Sequence, residues 1–199
     1  MQAQRIVGRV LILLVLLVPM AGTPAAQAAE TGNPINHVIV FYQENWSFDS
    51  LYGEFPGANG IAPVEDGVTQ LDKNGQPYAT LPQPINTNLK PAGPDTRFPA
   101  TLPVQPFDIA PYVSPDHLIG DLPSSFYQEQ AQIHGGKMDQ FAALSPAAGL
   151  VLGYYDATNM PEGQLAQQYT LADNFYHAAF GGSFLNHFWL ICACTPTWA

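Results

Sequence analysis

Hydrophobic positions fall into blocks of different period along the chain. Residues 10–18 are apolar without interruption, with Arg5 and Arg9 before them and small residues ending Ala26-Gln27-Ala28-Ala29 after them. A basic start, a hydrophobic centre and an A-x-A site are the parts of a secretory signal peptide, here residues 1–29. The competing reading is a membrane anchor, but that needs roughly 20 apolar residues to span a bilayer, and this run is shorter. No Arg-Arg pair precedes it. The expected route is therefore export of the unfolded chain, leaving a secreted or periplasmic protein that begins near Ala29 or Glu30.

A second apolar block, residues 35–43, is β-branched and aromatic (Ile-Asn-His-Val-Ile-Val-Phe-Tyr-Gln) and ends abruptly at Gln43-Glu44-Asn45. Near-continuous apolarity predicts a parallel strand buried on both faces. Periodicity then disappears between residues 56 and 123, which hold thirteen of the nineteen prolines. Proline removes ladder donors and breaks helices, so this stretch reads as a long ordered loop or lid with short strands inside the domain of residues 30–199. Asp72-Lys73-Asn74-Gly75 predicts a hairpin turn.

Helical spacing returns over residues 124–141, with a break at Gly135-Gly136. Residues 150–155 read as a strand or buried turn. Met160-Pro161-Glu162 opens a helix to about Tyr169, because proline suits the first turn and an acid suits the positive end. Residues 172–179 predict a second buried strand, Gly181-Gly182-Ser183 a turn, and residues 184–194 an apolar helix. Strands alternating with helices predict an α/β fold with a mainly parallel sheet.

Charge narrows the functional classes. The formal charge is −10, and loss of Arg5 and Arg9 takes it to −12, leaving Lys73, Lys90, Arg97 and Lys137 as fixed cations. With no basic patch, nucleic acid is not an expected partner. An acidic chain gains nothing from an anionic membrane surface, and no stable membrane insertion is expected once the leader is removed. Cys192 and Cys194 stand one residue apart, where a mutual bridge on a helix would be strained. Two small buried residues are the plainer reading; pairing with a cysteine elsewhere is the other.

Two strand ends carry the candidate chemistry, since ligands in open α/β sheets bind beyond the carboxyl ends of strands. Glu44 and Asn45 offer a carboxylate and an amide carbonyl, hard oxygen ligands for a divalent metal ion, although further ligands must come from elsewhere. The alternative is a loop start in which Asn45 or Ser47 caps the next turn. At the second end, Gly181 and Gly182 let backbone approach a ligand closely, and Ser183 sits at the positive end of a helix, where an anion such as phosphate is favoured. A metal-activated Ser183 hydroxyl could attack phosphorus; alternatively Ser183 is an N-cap. His187 lies one helical turn on, on the same face. Leu185 occupies the place of the second glycine of a G-x-S-x-G nucleophile elbow, which disfavours a triad hydrolase.

Five blocks in order resemble the bacterial phosphoesterase family of non-haemolytic phospholipases C and periplasmic acid phosphatases. Residues 37–49, containing Glu44-Asn45-Trp46-Ser47-Phe48-Asp49, are similar to its E-N-R-S-F-D signature. Gly135-Gly136-Lys137-Met138-Asp139, Gly153-Tyr154-Tyr155-Asp156 and Tyr169-Thr170-Leu171-Ala172-Asp173 look like its G-G-K-M-D, G-Y-Y-D and Y-T-L-A-D blocks. Gly181-Gly182-Ser183-Phe184-Leu185-Asn186-His187 resembles the nucleophile block of the acid phosphatase branch.

The resemblance implies an alkaline-phosphatase-like α/β fold, incomplete here, and a metal-dependent hydrolase acting on a phosphate ester substrate. It implies Ser183 as nucleophile, Glu44 and Asn45 as ligands of a divalent metal ion, and Asn186 and His187 as substrate-binding residues. A phosphomonoesterase is the expected activity. The alternatives are a phospholipase C-type phosphodiesterase or a non-catalytic remnant that binds phosphate or a partner. The pattern departs at three places. The family's adjacent aspartate pair, expected far downstream, is absent, which implies a truncated N-terminal portion. Trp46 stands where arginine is common, and Ser124-Ser125 stands where relatives carry His-Arg.

Overall fold

The computed structural model of the chain describes residues 35–61 and 68–197, so the leader of residues 1–29 lies outside the described residues. Contacts divide the chain into two units, Met1–Phe41 and Tyr42–Ala199. In the first, residues 35–41 form no regular structure, and Val38 and Ile39 are 78% and 80% exposed. The parallel strand expected over residues 35–43 is therefore not formed. A parallel ladder gets its hydrogen bonds from a second strand, and among the described residues no ladder includes this run.

The second unit is mixed α/β. Its elements are α1 (Phe48–Tyr52), β1 (Ile85–Asn86), β2 (Gly93–Pro94), β3 (Phe107–Asp108), α2 (Phe126–Ile133), α3 (Phe141–Leu144), β4 (Gly153–Tyr154), α4 (Pro161–Gln168) and α5 (Ser183–Cys192). The expected mainly parallel sheet is replaced, among the described residues, by two ladders. β1 pairs antiparallel with β2, and β3 pairs parallel with β4. Each strand is two residues long, and Pro94 and Pro106 remove donors that longer ladders would need.

The proline-rich stretch contains these short strands and also supplies much of the core. Leu81, Phe98, Leu102, Phe107, Ile109 and Val113 are buried together with Ala142, Ala147, Leu150, Tyr155 and Ala157. Each buried leucine or phenylalanine contributes about 1.5–3 kcal/mol relative to exposure. The β3–β4 pairing depends on Gly153, where an added Cβ would sit 2.7 Å from the Ile109 side chain. The buried amide and carboxylate of this core are paired, whereas Trp189 Nε1, on α5, is buried without a hydrogen-bond partner among the described residues. Gln70 Nε2 donates to the Met138 carbonyl at 2.9 Å, and its Oε1 accepts the Ala142 N–H at 3.2 Å. Asp95 accepts from Arg97 Nε at 2.9 Å and Nη2 at 2.6 Å, and that guanidinium also donates to the Leu118 carbonyl.

The local readings of the other segments fare differently. The Asp72–Gly75 turn forms, closed by Gly75 N–H to the Asp72 carbonyl at 3.0 Å, with the Asp72 carboxylate accepting the Asn74 and Gln76 N–H groups. The helix break falls at His134–Gly136, a 3-10 turn. Residues 148–152 form a 3-10 helix that leads into β4. Residues 172–179 are not the expected buried strand: Phe175 and Tyr176 are exposed and no ladder runs there. Cys192 and Cys194 are bonded to each other, with Cα atoms 5.2 Å apart. The helical geometry that argued against this bridge ends at Cys192. Ala193 turns left-handed (φ 50°), which brings the two sulfurs together on the surface.

Candidate active site

The site begins where the chain leaves its irregular start and enters α1. Ser47 Oγ accepts the Ser50 N–H at 3.2 Å and so caps the helix, while Asp49 complements its positive end. Trp46 packs edge-on against the buried Tyr155, with ring centroids 5.6 Å apart. Tyr52 Oη donates to Gln43 Oε1 at 2.6 Å. Glu44 and Asn45 are thus held between an anchored indole and a pinned glutamine. Their side of the molecule opens into a cleft of about 520 Å³, lined among others by Tyr42, Glu44, Asn45, Ser124, Glu129, His177, Gly182 and Ser183.

Ser183 reaches the same cleft from α5. The residue capping that helix is Gly182, which makes no side-chain cap bond, so the Ser183 hydroxyl is not spent as an N-cap. It lines the same cleft as the Glu44 carboxylate. The two strand-end candidates therefore meet. Close approach explains Gly182: a Cβ there would lie 2.8 Å from the Ser124 carbonyl oxygen, so the start of α5 abuts the chain just before α2.

The charges at this meeting point have direct causes. The Ser183 hydroxyl first, then His187, holds the Glu44 carboxyl below its ordinary value. His187 Nε2 lies 2.5 Å from Glu44 Oε2. Burial first, then the Glu44 charge, pushes the Tyr42 phenol up. Burial raises Glu129, while His177 pulls it the other way.

Of the expected site residues, Glu44, Asn45 and Ser183 line one cleft, and His187 joins them through Glu44. Asn186 does not line that cleft. It is buried, and its amide is engaged by the backbone at Ala179, Gly181 and Gly182. Its Nδ2 hydrogens are taken up by backbone carbonyls, and its Oδ1 accepts the Ala179 N–H.

Cleft residues that the sequence did not single out include Tyr42 and His177, whose Oη and Nε2 are 2.5 Å apart, and Glu129. His177 fell inside a run read as a buried strand, and the Tyr42 contact spans 135 residues, so no local signal marked the pair. Ser124 lines the cleft where relatives were expected to carry histidine. His117 is not brought there and pairs with Asp116 at 2.9 Å.

Among the described residues no group of three or more His, Cys, Asp or Glu side chains is placed to hold a metal ion. Glu44 and Asn45 supply two adjacent oxygen donors, which fit a hard divalent cation in type but fill only part of its coordination sphere. No helix among the described residues is long and apolar enough to cross a membrane.

Comparison with known proteins supplies the context for this site. The chain is 27% identical over 158 residues to the non-hemolytic phospholipase C of Pseudomonas aeruginosa, covering 74% of this chain and 18% of that protein. It therefore spans less than a fifth of that relative's length. No solved structure matches the chain significantly. The model of the Phosphoesterase family matches residues 35–197, and the chain belongs to that family.

Proposed function

We propose that this protein belongs to an exported, metal-dependent phosphomonoesterase in which Ser183 is the nucleophile. One observation carries the reading: Ser183 and Glu44, 139 positions apart in sequence, line the wall of one cleft, close enough that the Ser183 hydroxyl helps hold the Glu44 carboxyl below its ordinary value. The starts of two helices, α2 and α5, adjoin that wall at Ser124 and Gly182, and neither has a side-chain cap. Their partial positive charge favours a phosphoryl group there.

In this reading Ser183 Oγ attacks phosphorus, the alcohol departs, and water then hydrolyses the phosphoserine to free phosphate. Glu44 and Asn45 are the residues that would hold a divalent cation, the remaining ligands lying outside the described residues. When bound, that cation acidifies the serine hydroxyl and offsets negative charge on the phosphoryl oxygens. His187 fixes the orientation of the Glu44 carboxylate from behind rather than contacting substrate, as hydrogen-bonded partners of metal ligands commonly do. The resemblance further supports an alkaline-phosphatase-like parent fold, and the basic, apolar and A-x-A pattern of residues 1–29 supports a cleaved leader.

Hydrolysis of a chromogenic phosphomonoester, measured with and without a chelator, tests the proposal. Activity that survives both chelation and Ser183→Ala would overturn it. The similarity to a phospholipase C favours a second reading, a phosphodiesterase. Turnover of a choline phosphodiester faster than that of a monoester selects it.

A further inference from the structure

Asn186 holds the chain segment that precedes its own helix. Its side chain is 4% exposed. Nδ2 donates to the carbonyls of Ala179 at 3.0 Å, Gly181 at 3.1 Å and Gly182 at 3.3 Å, and Oδ1 accepts the Ala179 N–H at 3.2 Å. Its backbone N–H adds a 3.4 Å bond to the Gly182 carbonyl. One buried amide thus gathers three carbonyls of a five-residue loop.

The direction of those carbonyls fixes the direction of the amides beside them. The peptide bonds between Gly181, Gly182 and Ser183 are trans. In a trans peptide the C=O and the following N–H point to opposite sides. Drawing the Gly181 and Gly182 carbonyls onto Asn186 turns the N–H groups of Gly182 and Ser183 the other way. Both residues line the cleft, and neither N–H donates to another group among the described residues.

We propose that Asn186 is a positioning residue that turns the Gly182 and Ser183 amides into the cleft, where they receive phosphoryl oxygens as Ser183 attacks. The inference rests on the phosphoester reading above and adds to it a means of preorganisation. Donors held in place before the reaction stabilise developing charge without the cost of reorienting. A purely structural asparagine would stabilise the loop but leave anion binding alone.

The test uses inorganic phosphate as probe and Asn186→Leu as variant, which keeps the volume of the side chain and adds no charge. Amide resonances of Gly182 and Ser183 are followed by NMR during phosphate titration, and exchange of the Ala179 amide is measured separately. The wild-type amides shift with phosphate. In the variant the apparent affinity falls by about tenfold or more, and Ala179 exchange accelerates by at least about tenfold, the loss of about one net hydrogen bond.

A folded variant with a wild-type phosphate response overturns the proposal, whether or not Ala179 exchange accelerates. So does rapid, free-amide exchange of the Asn186 side-chain protons in the wild-type protein, a measurement that needs no variant to fold. If phosphate moves neither wild-type amide while Ala179 exchange still accelerates in the variant, the loop-holding role is supported and the phosphoester reading is what fails.

Discussion

Residues 68–157 and residues 169–194 place their apolar side chains in opposite ways, and the second stretch is the richer in them. In the first region leucines and aromatics face inward: Leu81, Ile109 and Leu150 are 1–2% exposed, and the polar groups among them are paired. In the second, Tyr169, Tyr176, Phe184 and Ile191 face outward. Yet the candidate nucleophile belongs to the second. Its links to the rest of the chain include Asn59 N–H to the Asp173 carboxylate at 2.9 Å, Tyr42 Oη with His177 Nε2, Glu44 with His187, and the Gly182 approach to Ser124. The buried core of the first region carries none of the proposed chemistry, and only its surface at Ser124 and Glu129 reaches the cleft. Stability and activity should therefore separate on mutation.

The sharpest break of that separation is Ser183→Ala. Activity in kcat/KM should fall by at least about 10³-fold while the melting midpoint moves by less than about 2 °C. A large change in the midpoint would mean that Ser183 is structural. The converse is Leu81→Ala, which removes a fully buried side chain opposite Leu102 and should cost about 2–5 kcal/mol in denaturant unfolding, with activity per folded molecule preserved.

Asp95→Asn is expected to cost about 2 kcal/mol near neutral pH, because it weakens a buried ion pair with Arg97. Its pH dependence has a definite sign. The Arg97 guanidinium holds the Asp95 carboxyl below its ordinary value. The contribution is therefore complete above the unfolded value of about 3.9 and lost as pH falls through the lower folded value. Chemical denaturation at a series of acid pH values should show the wild type and the Asp95→Asn variant converging only at the acid end. Smallest is Ser47→Ala, about 1 kcal/mol for one lost cap, read from the same unfolding curves.

What was legible in the sequence follows the range of the forces involved. Helices α4 and α5 are announced by Pro161, Glu162 and an apolar run, because capping and helical spacing act over a few residues. The Asp72–Gly75 turn is local for the same reason. Runs 35–43 and 172–179 carry strand composition without strand structure, since a ladder is a property of two segments and composition records only one. The core of the proline-rich stretch was hidden because prolines interrupt any period, leaving Leu81, Phe98 and Ile109 at irregular spacing.

The site divides along the same line. Glu44, Asn45 and Ser183 could be picked out as residue types, and they line one cleft although neither strand expected to present them forms. The Tyr42–His177 contact could not be picked out, nor could the inward turn of Asn186. Both depend on where a loop folds back.

The Tyr155 phenol gives this architecture a built-in gauge. Burial pushes it up to about 12, and its hydroxyl donates to the Val113 carbonyl at 3.0 Å. A solvent-facing tyrosine is largely phenolate by about pH 11, whereas this one is still largely protonated there while the interior stays closed. Because its ring abuts Trp46, one residue from Asn45, alkaline ultraviolet titration combined with indole emission would report whether the wall beneath the cleft is intact, in the absence of any substrate.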